Sequence, residues 1–346
     1  MKNIYLVLSL FVLVTIPTGM SQQESSQQIV NLMVDVAGSL HPTEEQSAVE
    51  RDNIANVYNA MIRDKIPSTW FLTQDVSSSH IVLYLTQLGL FGDIEFGIAG
   101  NHSDEKLSAL PYSKQLAILE SSKRFASAAR VCGKNEKNIL GFKPQSFDQN
   151  QDTYKALDVI GIQYDAGFKS GILYAPGHEN DVWPYPVEGH NFYAVPISNY
   201  IMSGKKVALQ DSYFKESGLG ASQWYDALEA KFNEASAKNE PLVVSLTTHI
   251  SGTGDYRNAF KKFIEYAKSK NASFVNSTQL VDMAKAGVSS VSEIPASTNV
   301  STGCQVCDQT GNNQTKNDNI SNETITIFVD MYNTTQSPFA NNVTSP

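Results

Sequence analysis

The chain has 346 residues, 41% hydrophobic and 18% charged, with a formal net charge of −9. That length and apolar content allow a full core in one large domain or two small ones. No basic cluster stands out, which argues against a nucleic-acid partner, and the acidic balance disfavours polyanions.

Taken in order, the chain opens on a secretory leader. Lys2 supplies a basic start, Ile4 to Ile16 is an apolar run too short to span a bilayer comfortably, and Gly19-Met20-Ser21 offers small residues before Gln22. An uncleaved anchor is the alternative. Residues 1–21 are thus expected to be a signal peptide and residues 22–28 a flexible lead-in. The mature protein is expected to be secreted or held at the cell surface.

Val30 to Gly38 reads as a buried strand, centred on 29–35, that ends in the lone carboxylate Asp35. A carboxylate there is costly to bury unless it is satisfied or used; a solvated Asp opening a turn is the plainer reading. Glu44 to Arg63 carries helical spacing (Ile54, Val57, Tyr58, Met61), entered through Thr43. Ile66 to Leu72 is a short strand, Ile81 to Leu88 a helix, and Glu95 to Ala99 a strand that delivers Asn101-His102-Ser103. Tyr112 to Cys132 is a long helix and Leu140 to Pro144 a strand ending at Lys143. Gln151 to Ile160 is a helix and Ile162 to Ala166 a strand. Residues 174–190 form a loop rich in Pro, Gly, His and aromatics, and Phe192 to Ile197 returns as a strand. The series closes with helix Trp224–Ala237, strand Leu242–Leu246, helix Asn258–Ser269, strand Ala272–Val275 and helix Ser277–Ala286.

Strands alternating with helices predict an α/β fold with a largely parallel sheet. In parallel α/β barrels the carboxyl ends of the strands carry the site, which would gather Asp35, His102, Lys143 and His249 at one mouth. From residue 288 to 346 the composition turns to Ser, Thr, Asn and Gln. Sequons begin at Asn299, Asn313, Asn319, Asn322, Asn333 and Asn342, with others at Asn101, Asn271 and Asn276. A disordered polar tail and a glycosylated stalk both fit. Cys132 reads as a buried small residue. The single CxxC at Cys304 and Cys307 suits a local disulfide, or no pairing, better than zinc.

The order of landmarks over residues 29–287 resembles the polysaccharide deacetylases, the NodB-homology or carbohydrate esterase family 4 proteins. Ile66-Pro67-Ser68-Thr69-Trp70-Phe71-Leu72 is similar to their "GIPATFF" strand, Asn101-His102-Ser103 to the start of their His-Ser/Thr-x-x-His motif, and Gly141-Phe142-Lys143-Pro144 to their "GFRPPYG" section. Ile160-Gly161-Ile162-Gln163-Tyr164-Asp165 is similar to the "LGY" that follows, and Leu246-Thr247-Thr248-His249 to their late Leu-x-His motif. The resemblance implies a distorted (β/α) barrel of seven strands and removal of acetyl groups from a glycan. In the family a divalent metal such as zinc, held by one Asp and two His, activates water, with a second Asp as base and a late His as acid.

Carried over residue by residue, Asp35 falls on the base, His249 on the acid and His102 on the first metal histidine. The pattern then departs. Val36 and Ala37 stand at both places open to the second carboxylate, Lys106 replaces the second histidine, and Lys143 replaces an arginine, keeping charge without the planar fork. Asp104 and Glu105 are possible substitute ligands; His178, Glu188 and His190 are loop alternatives with a plain solvated reading. Lys143 and Lys106 are candidates for contacting substrate and its oxyanion. The cofactor stays open, since two of three usual ligands are absent. The expected activity is an exported hydrolase of C–N bonds acting on N-acetyl groups of a cell-surface glycan. The alternative is a non-catalytic carbohydrate-binding or cell-envelope module on the same fold.

Overall fold

A computed structural model describes residues 27–36, 38–39, 41–77, 85, 93–128 and 139–288. The leader, all three cysteines, the tail sequons and most of the expected helix 81–88 lie outside the described residues.

Seven strands run parallel around the sheet: β1 (Ile29–Val36), β2 (Ser68–Leu72), β3 (Ile94–Ile98), β4 (Gly141–Phe142), β5 (Tyr164–Lys169), β7 (Tyr193–Ile197) and β10 (Leu242–Thr247); the expected strand near 272–275 is β11 (Ser273–Val275), which also pairs parallel with β1. They lie in the order β10-β1-β2-β3-β4-β5-β7, with a short antiparallel β6 (Tyr185–Pro186) beyond β7. The gap between β7 and β10 is bridged. Ser198 N donates to Val243 O at 3.0 Å, Val243 N donates to Ser198 Oγ at 2.9 Å, and Ser245 N donates to Leu209 O at 3.0 Å. The sheet thus closes as an irregular barrel, the expected distorted (β/α) architecture.

Strand periodicity sorts the core into two shells. On β1, Leu32, Val34 and Val36 face outward with Trp70 and Leu72 of β2 and Leu242, Val244 and Leu246 of β10. Met33, Phe71 and Val243 face inward and pack with Tyr164, Ala166 and Val195. Asp35 has the parity of Met33, so it stands on the inner face one step above the barrel's apolar plug.

The outer shell is covered by α1 (Glu44–Ile62), α2 (Tyr112–Ala128), α3 (Gln151–Ile160), α5 (Ala221–Lys238), α7 (Gly254–Ser269) and α8 (Ser277–Ala286); α4 (Asp211–Glu216) and α6 (Thr248–Ser251) are single turns near the carboxyl ends. Capping follows local chemistry. Thr43 caps α1 by accepting from Gln46 N, and Asn150 caps α3 by accepting from Asp152 N and Thr153 N. Asn276 caps α8 and is 2% exposed, so this sequon is closed to glycosylation in the folded chain. None of the described helices is long and apolar enough to cross a membrane.

Three expectations change. The strand expected over 140–144 shortens to Gly141–Phe142, because Pro144 has no N–H to offer a ladder. The strand expected at 162–166 begins at Tyr164 and runs on to Lys169, past a bulge. A hairpin of β8 (Asn199–Met202) and β9 (Lys205–Ala208) went unforeseen; it turns on Ser203-Gly204, both with positive φ, 50° and 78°.

Candidate active site

The carboxyl ends of β1, β4 and β10 meet at one mouth. Asp35 Oδ2 forms an ion pair with Lys143 Nζ and accepts from Ser245 Oγ at 3.4 Å. The lysine side chain is 4% exposed and the aspartate 15%, so the pair is largely withdrawn from water and breaking it is costly. Asp35 Oδ1 is buried and has no hydrogen-bond partner among the described residues. It is a free acceptor beside a fixed cation.

Beneath the mouth lies Asp211, fully buried at the start of α4. Its carboxylate accepts from Thr247 N at 2.7 Å, Thr247 Oγ1 at 3.0 Å and Ser251 Oγ at 2.7 Å. These bonds tie the end of β10 to α6, the turn that carries His249. Burial pushes the Asp211 carboxyl up to about 6, the bonds oppose it, and the nearby Asp35 charge adds to the rise. Sequence reasoning passed over Asp211; its one local signal is a carboxylate opening a short helix.

His249 is exposed at the carboxyl end of β10. Partial desolvation holds its pKa below the ordinary imidazole value, Lys215 of α4 lowers it further, and Asp35 and Glu216 oppose them. The influence of the Asp35 charge on the ring places the two groups within electrostatic reach.

His102 is engaged elsewhere. Its Nδ1 hydrogen-bonds Asp75 Oδ1 at 2.7 Å, and Ser103 N donates to Asp75 Oδ2 at 2.8 Å. The Asp75 bond raises the imidazole pKa, with lesser help from Glu105 and Asp104. Gly100, at φ +90°, makes the turn out of β3, and a Cβ there would collide with Glu105 Oε2. That oxygen accepts from Asn101 N at 2.9 Å. Asp75, the aspartate that follows β2, also escaped sequence reasoning.

No protein-family model matches the chain, and no curated protein matches its sequence. Solved structures do match. A Mycobacterium smegmatis protein assigned as a polysaccharide deacetylase superposes with a TM-score of 0.59 at 15% identity, covering 77% of this chain and 93% of that one. A Pseudomonas aeruginosa PAO1 protein of the same assignment gives 0.58 at 11% identity over 74% and 90%. This chain has the polysaccharide deacetylase fold. Puue allantoinase shares it, with a TM-score of 0.59 at 13% identity over 76% and 92%.

Set against the metal-binding motif of that fold, the donors here do not fit a divalent ion. Val36 is buried on the outer face of β1, where an acid would have no access to the mouth. Lys106 is an exposed cation. Both oxygens of Asp75 are taken up by His102 and Ser103 of the loop after β3, and Oε2 of Glu105 by Asn101 of that same loop. Among the described residues no cluster of three His, Cys, Asp or Glu side chains converges.

The loop histidines serve the fold. His178 hydrogen-bonds Asp181 Oδ2 at 2.6 Å and stacks on Tyr185 with centroids 3.9 Å apart. His190 hydrogen-bonds Asp158 Oδ2 at 2.7 Å and packs against Tyr154. Tyr185 itself is buried, so it does not offer a face for sugar stacking, and Glu188 is exposed.

Proposed function

We propose that this is an exported deacetylase-type hydrolase that cleaves the amide C–N bond of N-acetyl groups on a cell-surface glycan, without the metal of its fold relatives. One observation carries the reading: the interior-facing Asp35, clamped on one oxygen by Lys143, keeps its other oxygen unpartnered within electrostatic reach of His249. In this scheme Oδ1 takes a proton from water as the water attacks the acetyl carbonyl. The Lys143 ammonium, using an N–H not turned to Asp35, offsets the oxyanion. The protonated fraction of His249 gives its proton to the departing amine, and acetate leaves.

A second reading, glycan binding without turnover, is favoured by the donor set that does not suit a metal, since an ammonium stabilises an oxyanion less than a divalent ion does. One experiment separates the two: acetate release from N-acetylated chito-oligosaccharides, with added zinc and with chelator, for the wild type and Asp35→Asn. The hydrolase reading expects release indifferent to zinc and reduced about a hundredfold by the substitution. Retained oligosaccharide binding with no release under any condition establishes the second.

A further inference from the structure

The mouth holds a second lysine that the scheme above does not use. Lys169 ends β5, next to the strand end that carries Lys143. Its Nζ lies 3.5 Å from the centroid of the Phe147 ring, and Lys143 Nζ lies 5.2 Å from the same ring. The two amines differ in one respect. Lys143 has Asp35; Lys169 has no ion-pair partner among the described residues, and only Glu216 of α4 acts on it favourably from a distance.

The surroundings hold this arrangement in place. Gly167 lets the Lys143-Pro144 segment press on β5, since a Cβ there would stand 2.7 Å from Pro144 Cδ. Ser146 and Phe147 both adopt left-handed backbone, φ 52° and 60°, a conformation that a bulky residue rarely accepts. The outcome is an aromatic ring shared by two cations.

Resting on the reading of the mouth as a glycan site, we propose that Lys169 is a carboxylate subsite: the preferred glycan places a uronic acid beside the N-acetylated sugar held near Asp35. One unpaired amine matches one negative charge. Asp35 and Glu216 across the rim repel a dianion, which favours a sugar carboxylate over a phosphate monoester. Half-burial, together with the Lys143 charge, lowers the Lys169 amine to about 8, the mark of a cation short of a counter-charge that a bound carboxylate would restore.

The test is calorimetric binding of two disaccharides that differ in one carboxylate: glucuronate linked to N-acetylglucosamine, and chitobiose. The wild type is expected to bind the acidic sugar about tenfold more tightly. Lys169→Gln should erase that preference and leave chitobiose affinity unchanged, while Lys169→Arg should keep most of it. Equal affinities in the wild type, or a preference that survives Lys169→Gln in a variant of unchanged melting temperature, would overturn the subsite. Because the readout is binding, absent acetate release with the preference intact sinks the hydrolase reading alone. Acetate release without the preference sinks the subsite alone. Binding of neither sugar overturns the subsite together with the glycan reading.

Discussion

The floor and the mouth of the barrel each hold an interior-facing carboxylate, and the protein meets the two differently. At the floor, Glu95 of β3 accepts from Thr69 Oγ1 at 3.1 Å, Thr278 N at 3.1 Å, Tyr164 Oη at 2.9 Å and the Thr278 hydroxyl, two donors for each oxygen. Burial raises its pKa and these four bonds oppose the rise. The group joins β2, β3, β5 and α8 and has no capacity left for a ligand. At the mouth, Asp35 has one cation, one long hydrogen bond and one vacant oxygen. The contrast teaches that donor supply, rather than residue type or facing, separates a structural carboxylate from one free to do chemistry.

The largest effect is expected at the floor. Glu95→Ala orphans four donors at once and should cost about 4 kcal/mol of unfolding free energy in urea denaturation. Glu95→Gln, which keeps an acceptor, should cost about half as much. A loss below about 1 kcal/mol for the alanine variant would erase the distinction between the two ends.

Next comes Asp211, between the extremes: saturated with donors but close to Asp35. Its pKa is raised on folding, from 3.8 to about 6, so the folded state favours the protonated form. The sign follows: this contribution is complete below the unfolded value and is lost as pH rises through about 6. The shift corresponds to about 3 kcal/mol. Melting temperature should therefore fall across that window, and Asp211→Asn should flatten the decline. An identical pH profile in the variant would assign the decline to other groups.

The mouth should show a smaller stability effect, and a recoverable one. Asp35→Asn strands a nearly buried Lys143 and should cost about 2 kcal/mol. Adding Lys143→Met should return most of that loss, a coupling that a double-mutant cycle reads directly. Acetate release, by contrast, should stay lost in both variants. If the double variant is no more stable than the single one, the pair is not the unit described here. The smallest effect belongs to Lys106→Ala, expected within about 0.5 kcal/mol of wild type with unchanged acetate release; a large loss of release would bring that exposed lysine back as an oxyanion contact.

Much of the barrel was legible in the residues. The apolar runs of β1, β2 and β10 mark them as buried strands, and the two-residue period puts Asp35 on the face of Met33; that this face is the inner one is seen only in the closed barrel. Helix starts at Thr43, Asn150 and Asn276 are written in their own caps. The hairpin at Ser203-Gly204 was also written, in a small-residue dipeptide between two β-prone runs, and was overlooked. The site was less legible. Nothing near Asp75 announces that it binds His102, and nothing near Lys169 announces that it shares a ring with Lys143.

The division has a physical cause. Periodicity, capping and turn chemistry act over a few residues, so the sequence alone determined the alternation of strands and helices and the departures at Val36 and Lys106. Pairings across the mouth join residues as far apart as Asp35 and Ser245, 210 positions along the chain, and Asp35 and Lys143, 108 positions. They depend on strand order, on the bulge in β5 and on how closely Pro144 packs over Gly167. Only the closed barrel settles which cation reaches Asp35, which is left without a partner, and which carboxylate takes His102.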